Sequence, residues 1–315
     1  MNLMKTRYLF VGFLLALVLV LASACSIASV DQSSEPNNDE FKEIKDFSGG
    51  QGRLLFAAQN KKDDFYDIYF VNLQNGEIEW LTQDKSADIA PDFSPDGSQI
   101  VYSSDKSGVY DLYLLQYQDL ETDRLTSIAA DETEARFSPD GREVVFQSNA
   151  YGDFDIFLMM LADKKVIRLT DSDAHETQAD WSPDGQQLIF VSNQDGDFEI
   201  YSMSLQDKEI IQLTDNNFYD AAPAWSPDGS RIAFISKRNR HFQLFLLELD
   251  SLKEVVLTKD GYTVHSPAWS PDGQYIAFIA NTDLESQIWI YQLSTGEVFR
   301  VTSGFHQYAG LSWMN

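Results

Sequence analysis

The chain has 315 residues and a formal net charge of -26, from 49 acidic against 23 basic side chains, and 43% of its residues are apolar. That balance excludes ordinary nucleic-acid binding, which needs a basic footprint, and points to a cationic or neutral partner. The apolar share suffices for the core of one large domain, and a single cysteine excludes an internal disulfide.

Residues 1–24 read as a targeting segment. Lys5 and Arg7 form its basic start, and the apolar run from Tyr8 to Leu21 has 14 residues. A membrane span needs about 20. The run ends in Leu21-Ala22-Ser23-Ala24-Cys25, which resembles the bacterial lipoprotein signal. The resemblance implies cleavage before Cys25, lipidation of its sulfur, and an exported protein anchored to the cell envelope, on the periplasmic side or the outer cell surface. Residues 25–50, rich in Ser, Asn, Asp and Glu, are predicted to be the lipidated cysteine and a flexible tether.

From residue 51 to the C-terminus the chain repeats itself. Ser-Pro-Asp-Gly begins at Ser94, Ser138, Ser182, Ser226 and Ser270, every 44 residues. The preceding aromatic keeps the same step through Phe93, Phe137, Trp181, Trp225 and Trp269, and the count reaches Trp313. Within the unit starting at Trp225, the turn is followed by Arg231–Ile235, by Gln243–Glu248 and by Val255–Thr258, all rich in branched or aromatic residues. Four short strands per unit and a period in the low forties predict a β-propeller. Six copies of each element give six blades. The first unit has only its last three strands, and the chain ends in a lone first strand around Trp313. The C-terminal strand is therefore predicted to be the innermost strand of the N-terminal blade, closing the ring.

The words Pro-Ala-Trp-Ser-Pro-Asp-Gly, Ile-Ala-Phe and Leu-Thr resemble the TolB-type propeller repeat, over about residues 51–315. The resemblance implies an all-β six-bladed propeller with four antiparallel strands per blade. Users of this repeat include the periplasmic TolB of the Tol-Pal system, prolyl oligopeptidase-type peptidases and oligogalacturonide lyases. TolB carries an α/β domain ahead of its propeller, whereas a signal and tether alone precede it here. The peptidases need a Gly-x-Ser-x-Gly elbow, which the sequence lacks.

Antiparallel strands put the Ser-Pro-Asp-Gly turns on one face and the blade-joining loops on the other, around the channel mouth. Five residues ahead of the first four landmark aromatics stand Asp88, Glu132, Glu176 and Asp220, an acidic arc suited to a cation or basic group. The other joining loops contribute Tyr262, His265, Phe305, His306 and Tyr308, which offer stacking surface for a peptide or a sugar. The aspartates Asp96, Asp140, Asp184, Asp228 and Asp272 recur around the ring and read as blade-building. The expected function is a non-catalytic, monomeric binding or scaffold module without a cofactor, its partner an envelope protein, a peptide or a saccharide and not a nucleic acid. One alternative is an assembly part using its blade edges. The other is a metal-dependent lyase, because the lyases bind a divalent metal through propeller histidines and His175, His265 and His306 lie in joining loops.

Overall fold

The computed structural model describes residues 42–43, 52–59, 65–259, 261–281, 286–302, 305 and 307–314. The expected targeting segment, the Cys25 lipidation site and His306 lie outside the described residues.

Every regular element among the described residues is a strand, and the strands form six sheets. Blade 1 runs from the channel outwards as Asp88–Phe93, Gln99–Ser104, Asp111–Gln116 and Thr122–Arg124. Blade 2 is Glu132–Phe137, Glu143–Ser148, Asp155–Met160 and Lys165–Arg168. Blade 3 is Glu176–Trp181, Gln187–Ser192, Glu199–Ser204 and Ile210–Gln212. Blade 4 is Asp220–Trp225, Arg231–Ser236, Gln243–Glu248 and Lys253–Val256. Blade 5 is Thr263–Trp269, Tyr275–Asn281, Ser286–Gln292 and Val298–Arg300. All neighbours within these blades are antiparallel.

Blade 6 closes the ring as expected. The C-terminal strand Gln307–Met314 is its innermost member and pairs with Arg53–Gln59, followed by Tyr66–Asn72 and Ile78–Trp80. Ser312 Oγ donates to Asp92 Oδ1 at 2.7 Å, tying this strand to blade 1. Gly310 sits in the left-handed region at φ 59°, and a Cβ there would lie 3.0 Å from Ala90 Cα. Only glycine combines that conformation with so close an approach. Within the predicted tether, Lys42 and Glu43 pair in parallel with Phe299 and Arg300, adding a fifth strand to the edge of blade 5.

The repeated words have local causes. In each Ser-Pro-Asp-Gly turn the serine hydroxyl donates to the aspartate, as in Ser226 Oγ to Asp228 Oδ1 at 2.7 Å, and the same oxygen accepts the N–H two residues on, from Ser230 at 3.0 Å. The Leu-Thr words end each blade with a cap: the threonine hydroxyl accepts a third-strand N–H, at 2.9–3.1 Å in all six blades. Two of the landmark tryptophans reach back one blade, Trp181 Nε1 to Arg136 O at 3.1 Å and Trp269 Nε1 to Ala224 O at 3.0 Å, whereas Trp225 Nε1 donates to Gly229 O of its own turn. Between blades lie apolar clusters such as Leu54, Phe56 and Tyr69 against Ala277, Ile279 and Ile290. At about 1.5–3 kcal/mol for each fully buried large side chain, these seams are the main cohesive force of the ring.

Candidate functional site

The six innermost strands surround the channel, and each is broken by a β-bulge. The ladder slips by one residue in every blade. Ala90, Glu134, Gln178, Ala222, Ser266 and Gly310 occupy that position with φ between 48° and 59°. A bulge leaves an N–H out of the ladder. The neighbouring blade supplies the acceptor: Gln147 Oε1 takes the Gln178 N–H and Gln178 Oε1 takes the Ala222 N–H, both at 2.9 Å.

Residues at the bulge and two positions beyond it, apart from buried Ala90 and Ala268, are partly open to the channel, and the two halves of its wall differ. Blades 1 to 3 present Asp92, Glu134, Arg136, Gln178 and Asp180. Blades 4 to 6 present Ala222, Ala224, Ser266, Gly310 and Ser312. On the charged wall Arg136 lies 3.7 Å from Glu134, and its positive charge also acts on Asp92 and Asp180. Asp92 and Asp180 are anchored as acceptors for the next landmark N–H, from Phe137 at 2.9 Å and Trp225 at 2.8 Å. Enclosure by protein raises Asp92 and Glu134 above the ordinary carboxylate range and pushes Asp180 up to about 6, against the pull of Arg136. The wall therefore has three carboxyl groups around one guanidinium, and it faces a strip of small residues that leaves room.

The sequence-predicted acidic arc lies elsewhere. Asp88, Glu132, Glu176 and Asp220 open their innermost strands, but all four side chains are buried, none more than 3% exposed. They lie at the seams between blades rather than facing solvent, because a strand's first residue packs beside the Leu-Thr cap of the preceding blade. Burial pushes Asp88 up to about 6, offset in part by hydrogen bonds from Ser104 and Thr82. It pushes Glu132 to about 7, with nearby Asp111 adding to the rise and Thr126 opposing it. Glu176 and Asp220 are raised for the same first reason. Two of these seams hold a cation: Arg124 bonds Asp111 at 2.7 Å and Arg168 bonds Asp155 at 2.8 Å.

The remaining candidates divide. Tyr308 is fully buried and Phe305 packs on it, with ring centroids 5.4 Å apart, in an aromatic cluster with Phe56 and Tyr69. Tyr262 is half-buried at the mouth. His265 is buried between Ser266 Oγ at 3.2 Å and Asn281 Nδ2 at 3.3 Å, and burial lowers it to about 4, so it is neutral. His175 faces Asp153 at 3.3 Å. Among the described residues no three His, Cys, Asp or Glu groups are placed to share a metal. The channel wall residues were missed in the sequence. Their signal was present as positions one and three before each landmark, where otherwise uniform strands switch between charged and small residues.

The TolB beta propeller domain pattern matches residues 118–259 and 212–315, more than half of the chain. The chain belongs to the TolB beta propeller domain family. A comparison with curated proteins gives no match. Among solved structures, this TolB-type propeller is similar to TolB from Acinetobacter baumannii, with 21% identity and a TM-score of 0.75 over 83% of this chain and 66% of that one. It thus spans slightly less than two thirds of that protein. A putative TolB from Agrobacterium tumefaciens shares 20% identity at a TM-score of 0.67, over 84% of this chain and 100% of its own. An oligogalacturonate lyase from Vibrio parahaemolyticus shares 15% identity at a TM-score of 0.55, over 80% of this chain and 74% of its own. At these identities the structural likenesses speak for the fold.

Proposed function

We propose that this TolB-type propeller is a non-catalytic binding or scaffold module of the cell envelope, taking a slender ligand with a basic group, such as a peptide segment, at the joining-loop mouth and into the channel. One observation carries the reading: Asp92, Glu134 and Asp180 line one wall around Arg136, and the facing wall is Ala222, Ala224, Ser266 and Gly310. Carboxylates in an enclosed polar channel attract positive charge more strongly than they would in water, and small residues opposite leave space for an extended chain. Half-buried Tyr262 adds stacking surface at the rim. The buried acids at the seams contribute to the field of the mouth without touching the ligand. Membership of the TolB family and the expected lipid anchor at Cys25 support an envelope location.

A thermal-shift series tests this reading with basic peptides, neutral and acidic oligosaccharides and divalent cations. A ligand at 100 times its Kd adds about 2.7 kcal/mol, a shift of several degrees for a domain of this size. A shift with basic peptides that Glu134→Gln with Asp180→Asn removes supports the channel reading. A shift with a transition metal alone supports the lyase alternative. No shift with any of them points to assembly through the blade edges.

A further inference from the structure

The six seams are not equivalent: between blades 6 and 1 (Asp67 and Asp88, with Trp80 outside) and between blades 3 and 4 (Glu199 and Asp220, with Gln212 outside) two acids are buried with no arginine at the outer-strand position, and at the second a loop residue bridges them. Around blades 1 and 2 the third-strand acid is held by an arginine of its own outer strand, Asp111 by Arg124 and Asp155 by Arg168. The corresponding pair at the next seam is Glu199 and Asp220, both fully buried. Its outer-strand partner position is Gln212, whose Nε2 turns away to Asp195 at 2.6 Å. The two carboxyl groups lie within hydrogen-bonding reach of each other. Asn216 bridges them, its backbone N–H to Glu199 Oε1 at 2.7 Å and its Nδ2 to Asp220 Oδ2 at 2.9 Å. The second Asp220 oxygen, Oδ1, is buried and makes no hydrogen bond among the described residues.

The surroundings supply little compensation. Thr214 and Asn216 face Glu199, Ser236 faces Asp220, and Asp195 and Tyr201 stand on the Glu199 side. Arg238 is a cation acting on Asp220, and it is itself bonded to Glu254 and Ser236. Two carboxylates in this space cannot both stay charged without large cost, whereas a carboxyl beside a carboxylate makes a strong hydrogen bond.

We propose that Glu199 and Asp220 share a single proton, and that this proton is a latch fastening the joining loop 215–219 across the seam between blades 3 and 4. The loop is built for that task. Tyr219 packs between Phe198 of the blade 3 side, at 4.7 Å, and Phe242 of the blade 4 side, at 5.5 Å. Asn216 Oδ1 accepts the Phe218 N–H at 2.8 Å, so the residue that bridges the acids also sets the loop's shape. Loss of the proton to solvent leaves two buried carboxylates, which repel each other and can reach water only by releasing Asn216 and the loop. Phe218 and Tyr219 then become mobile at the mouth. The device is independent of which ligand the channel takes.

The sign of the pH dependence follows from burial. Glu199 is pushed up to about 8, first by burial and further by Asp220. The closed loop therefore holds a proton that the open loop releases, and closure weakens as pH rises from about 5 to 8, then levels off. For one proton the change is about tenfold per pH unit.

The test is hydrogen exchange by mass spectrometry on the intact protein from pH 5 to 9, corrected for the intrinsic base-catalysed rate, read at the amides of residues 216–219. Protection in the wild type is expected to fall steadily up to pH 8 and to stay flat above. Glu199→Gln keeps a donor to Asp220 but has no proton to lose, and should flatten the profile. Gln212→Arg, which installs the cation found at the preceding seams, should make it shallower. A flat wild-type profile overturns the proposal, as does an undiminished slope in Glu199→Gln. So does an equal slope in the joining loop 171–175, whose seam holds Arg168, because the effect would then be global. Should Glu199→Gln fail to fold, Asp220→Asn is read in the same way.

Discussion

The two faces of the propeller both carry rings of acidic side chains, and the environment drives them in opposite directions. On the turn face, Asp96 and Asp228 accept backbone and serine hydrogen bonds while standing in water, and both fall to about 2. At the joining-loop end, Asp88 and Glu132 are buried and rise to about 6 and 7. Hydrogen bonds to the charged form win where solvent remains, and desolvation wins where it does not. The turn face is thus uniform and structural, whereas the joining face holds stored electrostatic tension that differs from blade to blade.

The largest effect expected comes from breaking what both faces depend on, the closed ring. Removing residues 308–315 leaves blade 6 without its inner strand and exposes Leu54 and Phe56, which are fully buried in the intact protein. The truncated protein should lose its cooperative thermal transition by calorimetry; a transition like that of the parent would show that the ring does not need the closure. Gly310→Val is a milder form of the same break, since its Cβ would press on Ala90 Cα.

Next is Arg168→Ala, which sharpens the contrast between compensated and uncompensated seams. Asp155 is 2% exposed and would be left as a buried acid without its cation, while the Arg168 side chain itself is 31% exposed. The loss, reduced by solvent screening of the guanidinium, should appear as a lower midpoint in urea. An unchanged midpoint would mean that water already solvates Asp155.

The ring plan was legible because a propeller repeats its building chemistry: the Ser-Pro-Asp-Gly spacing, the landmark aromatics and Leu-Thr each do one mechanical job in every blade. The site was legible only in part. Asp88, Glu132, Glu176 and Asp220 recur at one position in four blades and looked like loop residues around a mouth, but recurrence marked a seam. Spacing shows where a residue falls along a strand and not which neighbour covers it. The bulges had no signal at all, since glycine fills only one of the six left-handed positions and Ala, Glu, Gln and Ser fill the others. Asp92, Arg136 and Asp180 were hidden by lying in strands that read as core, although those were the columns in which the repeats differed.

The pH profile of the whole protein follows from the same contrast. Asp88 near 6, Glu132 near 7, Asp180 near 6 and Glu199 near 8 stand above their unfolded values. Their contribution is complete below about pH 4 and is lost as pH rises through those folded values. The turn aspartates act in reverse, stabilising above about pH 4 and failing as pH falls towards 2, and buried neutral His265 also opposes acid as pH falls from about 6.5 to 4. Thermal stability should therefore peak near pH 5 and decline towards pH 8. Glu132→Gln should remove part of that decline, gaining about 1–2 kcal/mol at pH 8 and less at pH 5. A wild-type maximum at pH 8 would contradict the buried-acid account of the joining face.

The smallest effect belongs to the turn face. Asp228 is largely exposed, its ion pair with Arg231 spans 3.7 Å, and such a surface pair contributes little. Its value lies in the hydrogen bonds from Ser230 N and Ser226 Oγ that close the turn. Asp228→Asn keeps an acceptor at the same place and should cost a few tenths of a kcal/mol, whereas Asp228→Ala removes it and should cost about 1 kcal/mol. Because the pKa is depressed to about 2, the difference between wild type and Asp228→Ala should be complete above about pH 4 and shrink as pH falls from about 4 to 2. The same pair of substitutions at Asp88 should order differently. There Asn relieves a buried charge, so at pH 8 Asp88→Asn should match or exceed the wild type, whereas Asp228→Asn never does. If both positions respond alike, the two faces are electrostatically the same and the contrast between them fails.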